Sequence, residues 1–308
     1  MVVIAGPTAS GKTALALAVA EGLGGEIVNF DSVQIYRDFD IGSAKPSAAE
    51  MARARHHMIG VADAHAPWSA GEYARQARPV IEEVAGRGRL PVLVGGTGFY
   101  LRALLDGLSP LPTAPAELRE RLRRRTPEQL HRLLQRLDPA SAERIAVRDA
   151  SKAVRALEVR VLTGRGMGEA WNVAPPEPWR EVKALRLGLA PERAALYERI
   201  HERAERMFAG PIQEEARRLL PQYPPELRIW TSHGYRQAAD MVLRGAERDV
   251  AQAEAELEQR HYAKRQWTWF RRDPRVQWLG GFGDERGLQQ QGLAMAQTWI
   301  NSRGGDRA

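Results

Sequence analysis

The chain opens MVVIAGPTASGKTALAL, and Gly6, Pro7, Thr8, Ala9, Ser10, Gly11, Lys12 and Thr13 fit the pattern G-x-x-x-x-G-K-[ST]. The β-branched run Val2-Val3-Ile4-Ala5 leads into this loop, and residues 13–23, rich in Ala and Leu, read as a helix. Strand, glycine loop and helix in that order constrain the fold more than any other feature. The small residues let successive backbone N–H groups turn inward on an anion at the positive end of the following helix. Lys12 adds a charge, and the Thr13 hydroxyl can ligate Mg2+. The loop specifies phosphate binding and leaves the reaction open.

Residues 26–30 read as the next strand, closed by Asp31 and Ser32, and residues 90–94 as another, closed by Gly95, Gly96, Thr97 and Gly98. Residues 185–189 alternate like a strand and end in a helix start, Ala190-Pro191-Glu192, and residues 276–279 are a last strand candidate. Strands alternating with helices imply a parallel sheet, with ligands at the carboxyl ends of its strands. Three such ends stand out: the glycine loop, Asp31-Ser32, and residues 95–98.

From about residue 113 the texture changes, and no strand is expected before about 182. Residues 116–125 form a basic helix; Thr126, Pro127 and Gln129 then supply a cap, a first-turn proline and a capping box. Leu130, Leu133, Leu134 and Leu137 follow at helical spacing, and Asp138-Pro139 starts another helix. Val154, Leu157 and Val161 are expected as the buried stripe of the next, which ends at Thr163-Gly164. Residues 164–179, with Gly164, Gly166, Gly168, Pro175, Pro176 and Pro178, read as a loop, and the tail from Ser302 as frayed. The expected fold is α/β: a P-loop-type parallel sheet core flanked by helices, residues 1–112 and 183–308, with an all-helical insertion domain at 113–182.

The 308 residues include no Cys, which excludes disulfides and thiolate metal sites and suits a reducing cytoplasm. Apolar runs are of strand length, so no membrane span is expected. A net charge of +7 is only a weak pointer to polyanions. With no repeat and no heptad seam, a monomer is expected.

A nucleotide triphosphatase would also want an apolar strand ending in an acid that holds the metal. The strand at 90–94 ends in glycines instead, which leaves Asp31 as the only acid at a strand end near the loop. Asp31 could help hold Mg2+, act as a general base, or simply cap a turn. Near the C-terminus, Lys264, Arg265, Arg271 and Arg272 are interleaved with Trp267, Trp269 and Phe270. Cations for phosphates beside flat rings for unstacked bases suit single-stranded RNA, and equally suit an amphipathic helix end with core tryptophans. Arginines in the 119–125 run read first as a solvated helix face. His56 and His57 lack a third ligand at metal spacing and are read as polar positions near the catalytic mouth.

Asp31-Ser32-Val33-Gln34-Ile35-Tyr36 and Ile41-Gly42-Ser43-Ala44-Lys45-Pro46, with the glycine loop and Gly95-Gly96-Thr97-Gly98-Phe99-Tyr100, resemble the tRNA dimethylallyltransferase (tRNA isopentenyltransferase) family. Arg155-Ala156-Leu157-Glu158-Val159, Gly234-Tyr235 and Ala263-Lys264-Arg265-Gln266-Trp267-Thr268-Trp269-Phe270-Arg271 extend the likeness to nearly the whole chain. The resemblance implies transfer of a dimethylallyl group from dimethylallyl diphosphate to the N6 amine of the adenosine immediately 3′ of the anticodon. The loop, Gly6 through Thr13, would then hold a leaving diphosphate with Mg2+ on Thr13, and Asp31 would take the amine proton. Ser32 and Gln34 would meet the edge of the extruded adenine, and Val33 and Thr97 would contact the tRNA. Arg119, Arg123, Lys264, Arg265, Trp269 and Arg271 would contact the tRNA anticodon stem-loop, over which the helical insertion closes. The chain departs from the family pattern at Arg148, Lys152, Arg236 and Gln237. A P-loop small-molecule kinase using ATP and Mg2+ is the alternative enzyme class. A non-enzymatic RNA-binding protein is the third reading, against which Lys12, Thr13 and Asp31 stand intact.

Overall fold

The computed structural model describes residues 1–66, 68–173 and 176–304. The chain runs β1 (Val2–Ala5), α1 (Lys12–Leu23), β2 (Gly25–Asn29), α2 (Ala48–Arg53), β3 (His56–His57), α3 (Ala70–Gly86), β4 (Leu90–Gly95) and α4 (Gly98–Leu105). Helices α5 (Ala116–Arg123), α6 (Pro127–Leu137), α7 (Pro139–Arg144), α8 (Ala150–Thr163) and α9 (Met167–Val173) follow. The rest is β5 (Leu185–Leu189), α10 (Arg193–Phe208), α11 (Pro211–Leu219), α12 (Tyr235–Arg244), α13 (Arg248–Phe270), β6 (Val276–Leu279) and α14 (Arg286–Gly304). The chain divides into two compact units, residues 1–104 with 180–308, and residues 105–179.

The first unit is a six-stranded sheet in the order β3-β2-β4-β1-β5-β6, every pair parallel. β1 and β5 are buried along their whole length; β1 is a continuous apolar run, as a strand covered on both faces should be, while β5 also buries Arg186. Val2, Ile4, Ile27, Val92, Leu187, Leu15 and Leu17 join in one core with α1 and α14. Parallel register aligns the carboxyl ends, pairing Ala5 with Gly95 and with Gly188, so the segments that follow β1, β2, β4 and β5 open on one edge.

Strand β3 has no counterpart in the sequence reading. Two histidines carry no apolar pattern; they become a strand only because Ile27 and Val28 offer the next ladder positions. Helix α14 continues to Gly304, into the tail expected to fray from Ser302. Residues 305–308 lie outside the described residues.

The second unit contains helices joined by turns, with no strand among its described residues. The Thr126 capping box forms, and Leu130, Leu134, Leu122 and Leu157 make its core. Two expectations fail here. Val161 is 52% exposed, because the buried face of α8 turns toward Glu158, whose carboxylate takes Arg119 Nε at 2.7 Å and Arg155 Nη1 at 3.2 Å. Residues 167–173, read within a loop, form α9. Its first amide, Met167 N, donates to Asp138 Oδ2 at 2.9 Å, a cap supplied from 29 residues away that local sequence could not announce. Pro175 of the same loop lies outside the described residues.

Candidate active site

The loop after β1 turns because two residues take left-handed backbone, Ala9 at φ 63 and Gly11 at φ 81. At Gly11 a Cβ would lie 2.8 Å from the Gly283 amide, so only glycine admits the segment after β6 against the loop. That segment is tied down by Gly283 N donating to Ser10 O at 2.9 Å. On the other side the buried Gln266 bridges two strand ends: Thr8 N donates to its Oε1 at 2.7 Å, and its Nε2 donates to Gly96 O at 3.0 Å.

Two cavities open beside the loop. One, of about 360 Å3, is lined by residues 8–14 of the loop with Asn29, Asp31, Gln34, His56, Arg203 and Asp284, among others. The other, of about 200 Å3, is lined by Ser32, Val33, Gly42, Ser232, His233, Gln259 and Tyr262. Thr8, Asp31, Ser43, Ala44 and Arg203 line both. The shared residues put one carboxylate and one guanidinium at the boundary between a space lined by the loop and Lys12 and a second space that has neither Lys12 nor most of the loop.

Asp31 is held from both sides. Its amide donates to Asn29 Oδ1 at 3.1 Å, and its Oδ1 accepts from Val33 N at 2.9 Å. Turn-capping and cavity-lining therefore coexist in one side chain. Lys12 Nζ donates to Pro7 O at 2.7 Å, and burial pushes its pKa down to about 8, with Asp31 opposing the shift and Arg203 adding to it. Burial likewise pushes Arg203 down to about 10. Two desolvated cations around one carboxylate make a site that favours an incoming anion. Because the fold favours neutral Lys12, ligand-free stability should rise with pH from about 8 toward the ordinary lysine value, the unfolded chain binding more protons there. Inorganic diphosphate, which favours charged Lys12, should bind more weakly as pH rises above 8. Calorimetric titration across pH 7 to 10 checks this, and Lys12→Met should flatten the profile.

The remaining expected residues are placed unevenly. Ser32 N donates to Thr97 Oγ1 at 3.0 Å and the Thr97 hydroxyl returns to Ser32 Oγ at 3.2 Å, so the second and third strand ends are cross-linked. Gln34 Nε2 donates to Ser43 O and Ala44 O, holding a loop. His56 lines the larger cavity, its pKa lowered by burial, whereas His57 turns to Glu26 at 2.7 Å. Among the described residues no group of three or more His, Asp or Glu could hold a metal ion. Helix α13 splits the C-terminal set. Gln266 reaches the glycine loop, Arg265 lies over the Tyr262 ring at 5.6 Å, and Trp269 packs edge-on to Phe99 at 6.3 Å. Lys264, Trp267 and Arg271 fall half a turn away and line a separate groove with Arg193 and Tyr197. Arg119 is engaged by Glu158, inside the helical unit. Gln237 caps α12 by accepting from Gly234 N, and Asp149 caps α8 and pairs with Lys152.

Asp31 is not the only acid near the loop. Asp284 lines the same cavity, brought there because β6 pairs beside β5; both its oxygens accept from Arg199 Nη1, at 2.7 and 2.9 Å. Arg203, Tyr262, His233 and Gln266 were also missed. Arg203 had a readable signal: it stands at helical spacing among Leu196, Ile200, Ala204 and Met207, all buried in α10. A charge on an apolar stripe asks for a partner.

A parallel sheet with a glycine-rich loop and helix after β1, and a carboxylate at the end of β2, defines a P-loop-type α/β protein. The family profile described as IPP transferase matches residues 34–273, and that of isopentenyl transferase matches residues 1–63. The tRNA dimethylallyltransferase of Koribacter versatilis is 47% identical over 300 residues, covering 96% of this chain and 97% of its own. That of Solibacter usitatus is 46% identical over 288 residues, covering 92% and 94%. The full-length tRNA isopentenylpyrophosphate transferase of Bacillus halodurans superposes with a TM-score of 0.72 at 30% identity, over 100% of this chain and 99% of that one. A eukaryotic dimethylallyltransferase acting on tRNA shares the fold, with a TM-score of 0.83 at 23% identity over 98% of this chain and 80% of that one. The chain belongs to the tRNA dimethylallyltransferase family, whose members are alkyl-transferring enzymes.

Proposed function

We propose that this protein moves a dimethylallyl group from dimethylallyl diphosphate to N6 of the adenosine immediately 3′ of the anticodon, acting as a monomer in the cytoplasm. The observation that carries this is the boundary between the cavities. Asp31 and Arg203 line both, the glycine loop and Lys12 line one, and Ser32, His233 and Tyr262 line the other. The diphosphate lies in the loop-lined cavity, against the loop amides, Lys12 and Arg203, and the extruded adenine enters the second.

As N6 attacks the allylic C1, the bond from C1 to the bridging oxygen breaks and diphosphate leaves with the electron pair. Loop amides, Lys12 and Arg203 neutralise that developing charge. The N6 lone pair is delocalised into the ring, so the amine needs a base as the new bond forms; Asp31 accepts the proton. A divalent ion would be held by the Thr13 hydroxyl together with diphosphate oxygens and water, which suits Mg2+ in the absence of a carboxylate cage among the described residues. When bound it supplies charge neutralisation at the leaving group. The base must leave its stack to reach this depth. Arg265 and Trp269, on the Tyr262 face of α13, contact the anticodon stem-loop.

The relatives support this reading and not the kinase alternative, and Asp284, tied to Arg199, is poorly placed to serve as a kinase's metal acid. The test is to incubate the protein with unmodified tRNA, Mg2+ and labelled dimethylallyl diphosphate, then digest the RNA. Label on adenosine N6 is the expected result; bound tRNA without label would refute the assignment.

A further inference from the structure

Two sequence blocks still have no part in this chemistry: Ile41-Gly42-Ser43-Ala44-Lys45-Pro46 and Gly234-Tyr235. The first forms a loop whose Ser43 and Ala44 line both cavities. Its backbone is not relaxed, since Ala44 sits at φ 52 and Asp38, just before it, at φ 67. Such a loop keeps its shape only if the surroundings hold it.

Much of the holding comes from a side chain over 170 residues away. Glu215, in α11, is buried at 4% exposure. Its carboxylate accepts from Asp40 N at 2.8 Å, Ile41 N at 2.9 Å and Gly42 N at 3.2 Å. Tyr235 OH donates to it at 2.7 Å and itself accepts from Gly42 N at 3.1 Å. Burial beside Glu215 pushes the Tyr235 phenol well up, so the hydroxyl keeps its proton. Gly42 is required for this contact, because a Cβ there would lie 2.6 Å from the Tyr235 ring. Gln34 and Lys45 pin the same loop from its other side, Lys45 Nζ reaching Asp40 Oδ1 at 2.6 Å.

Three consecutive amides of one loop satisfy a buried negative charge. If the loop moved, that charge would be orphaned, so loop shape and Glu215 are coupled. We propose that Glu215 is a positioning residue for allyl transfer: through the amides of Asp40, Ile41 and Gly42 it fixes the wall that Ser43 and Ala44 present to both cavities, and thereby aligns the donor with the adenine. This rests on the transfer reading above. It also gives the two blocks a joint role, one as the amide nest and the other as the clamp behind it.

Glu215→Gln keeps the side chain's volume and removes the charge and one acceptor. Amides 40–42 should exchange with deuterium about ten times faster than in the parent, while amides of β1 and β4 stay protected. At a temperature where the variant is fully folded, kcat should fall about ten- to a hundredfold, with the Kd for tRNA within about twofold. Tyr235→Phe should show a smaller loss in the same direction, and the double variant should be no worse than Glu215→Gln alone, the two acting through one contact. Parental kcat in folded Glu215→Gln, or a loss that tracks the unfolded fraction, would overturn the proposal. Unchanged exchange at 40–42 would do so too, and that readout needs no substrate. Failure of the parent protein to label RNA would strike the transfer reading instead, and the two failures are therefore distinguishable.

Discussion

Asp31→Asn should lower allyl transfer about a thousandfold while leaving tRNA affinity within about threefold, the loss a misplaced or missing general base typically causes. Asn is the informative substitution. Asp31 Oδ1 already accepts from Val33 N and, at 3.4 Å, from Gln34 N, so the side chain also holds the turn after β2. An amide oxygen can replace that acceptor but cannot take the N6 proton. Asp31→Ala removes both functions and should add about 1 kcal/mol of destabilisation, as lost caps do. Single-turnover transfer with saturating tRNA, alongside filter binding, separates the two. A large loss of RNA binding in Asp31→Asn, with the chemical step intact, would make Asp31 a recognition residue.

Arg203→Met should cut transfer about a hundred- to a thousandfold, the scale of a lost charge-stabilising donor. The effect should appear both as a raised KM for dimethylallyl diphosphate and as a lowered kcat, because in the proposed transfer the guanidinium binds the leaving group and more strongly as it departs. The same variant should unfold at an equal or higher temperature than the parent. Arg203 is held by Gln259, itself buried, and its charge is disfavoured by burial, so an apolar residue of similar length removes a desolvation cost from the ligand-free protein. Lost activity together with retained or improved stability is the signature of a residue serving the ligand rather than the fold. Thermal melts with and without diphosphate check it: the parent should gain more from diphosphate than the variant. A lower melting temperature in Arg203→Met, with unchanged diphosphate affinity, would assign Arg203 to structure.

How far the sequence carried differs by element. The glycine loop was legible because its function depends on backbone, and backbone shape is written locally in Gly6, Gly11 and the flanking strand and helix. The five longer strands were legible from short local patterns, β1 and β4 as dense apolar runs and β5 as an alternation. Strand β3 and helix α9 were not: each owes its existence to a partner elsewhere, Ile27 and Val28 for one and Asp138 for the other. The split of α13 was partly legible, since spacing alone separates residues 262, 265, 266 and 269 from 264, 267, 268 and 271. Which face meets the site was not.

By itself, then, the sequence determined the class of fold, the glycine loop at residues 6–13, the carboxylate at Asp31 and the family to which these belong. Each is a matter of residue type at short spacing. Only the tertiary structure decided that Arg203 stands at the boundary between the cavities, that Asp284 enters beside Gly11, that Gln266 ties the glycine loop to Gly96, and that Glu215 clamps the loop at 40–42. These are side chains brought together from distant helices by burial of the apolar faces beside them, and a buried polar group finds its partner in space, not along the chain.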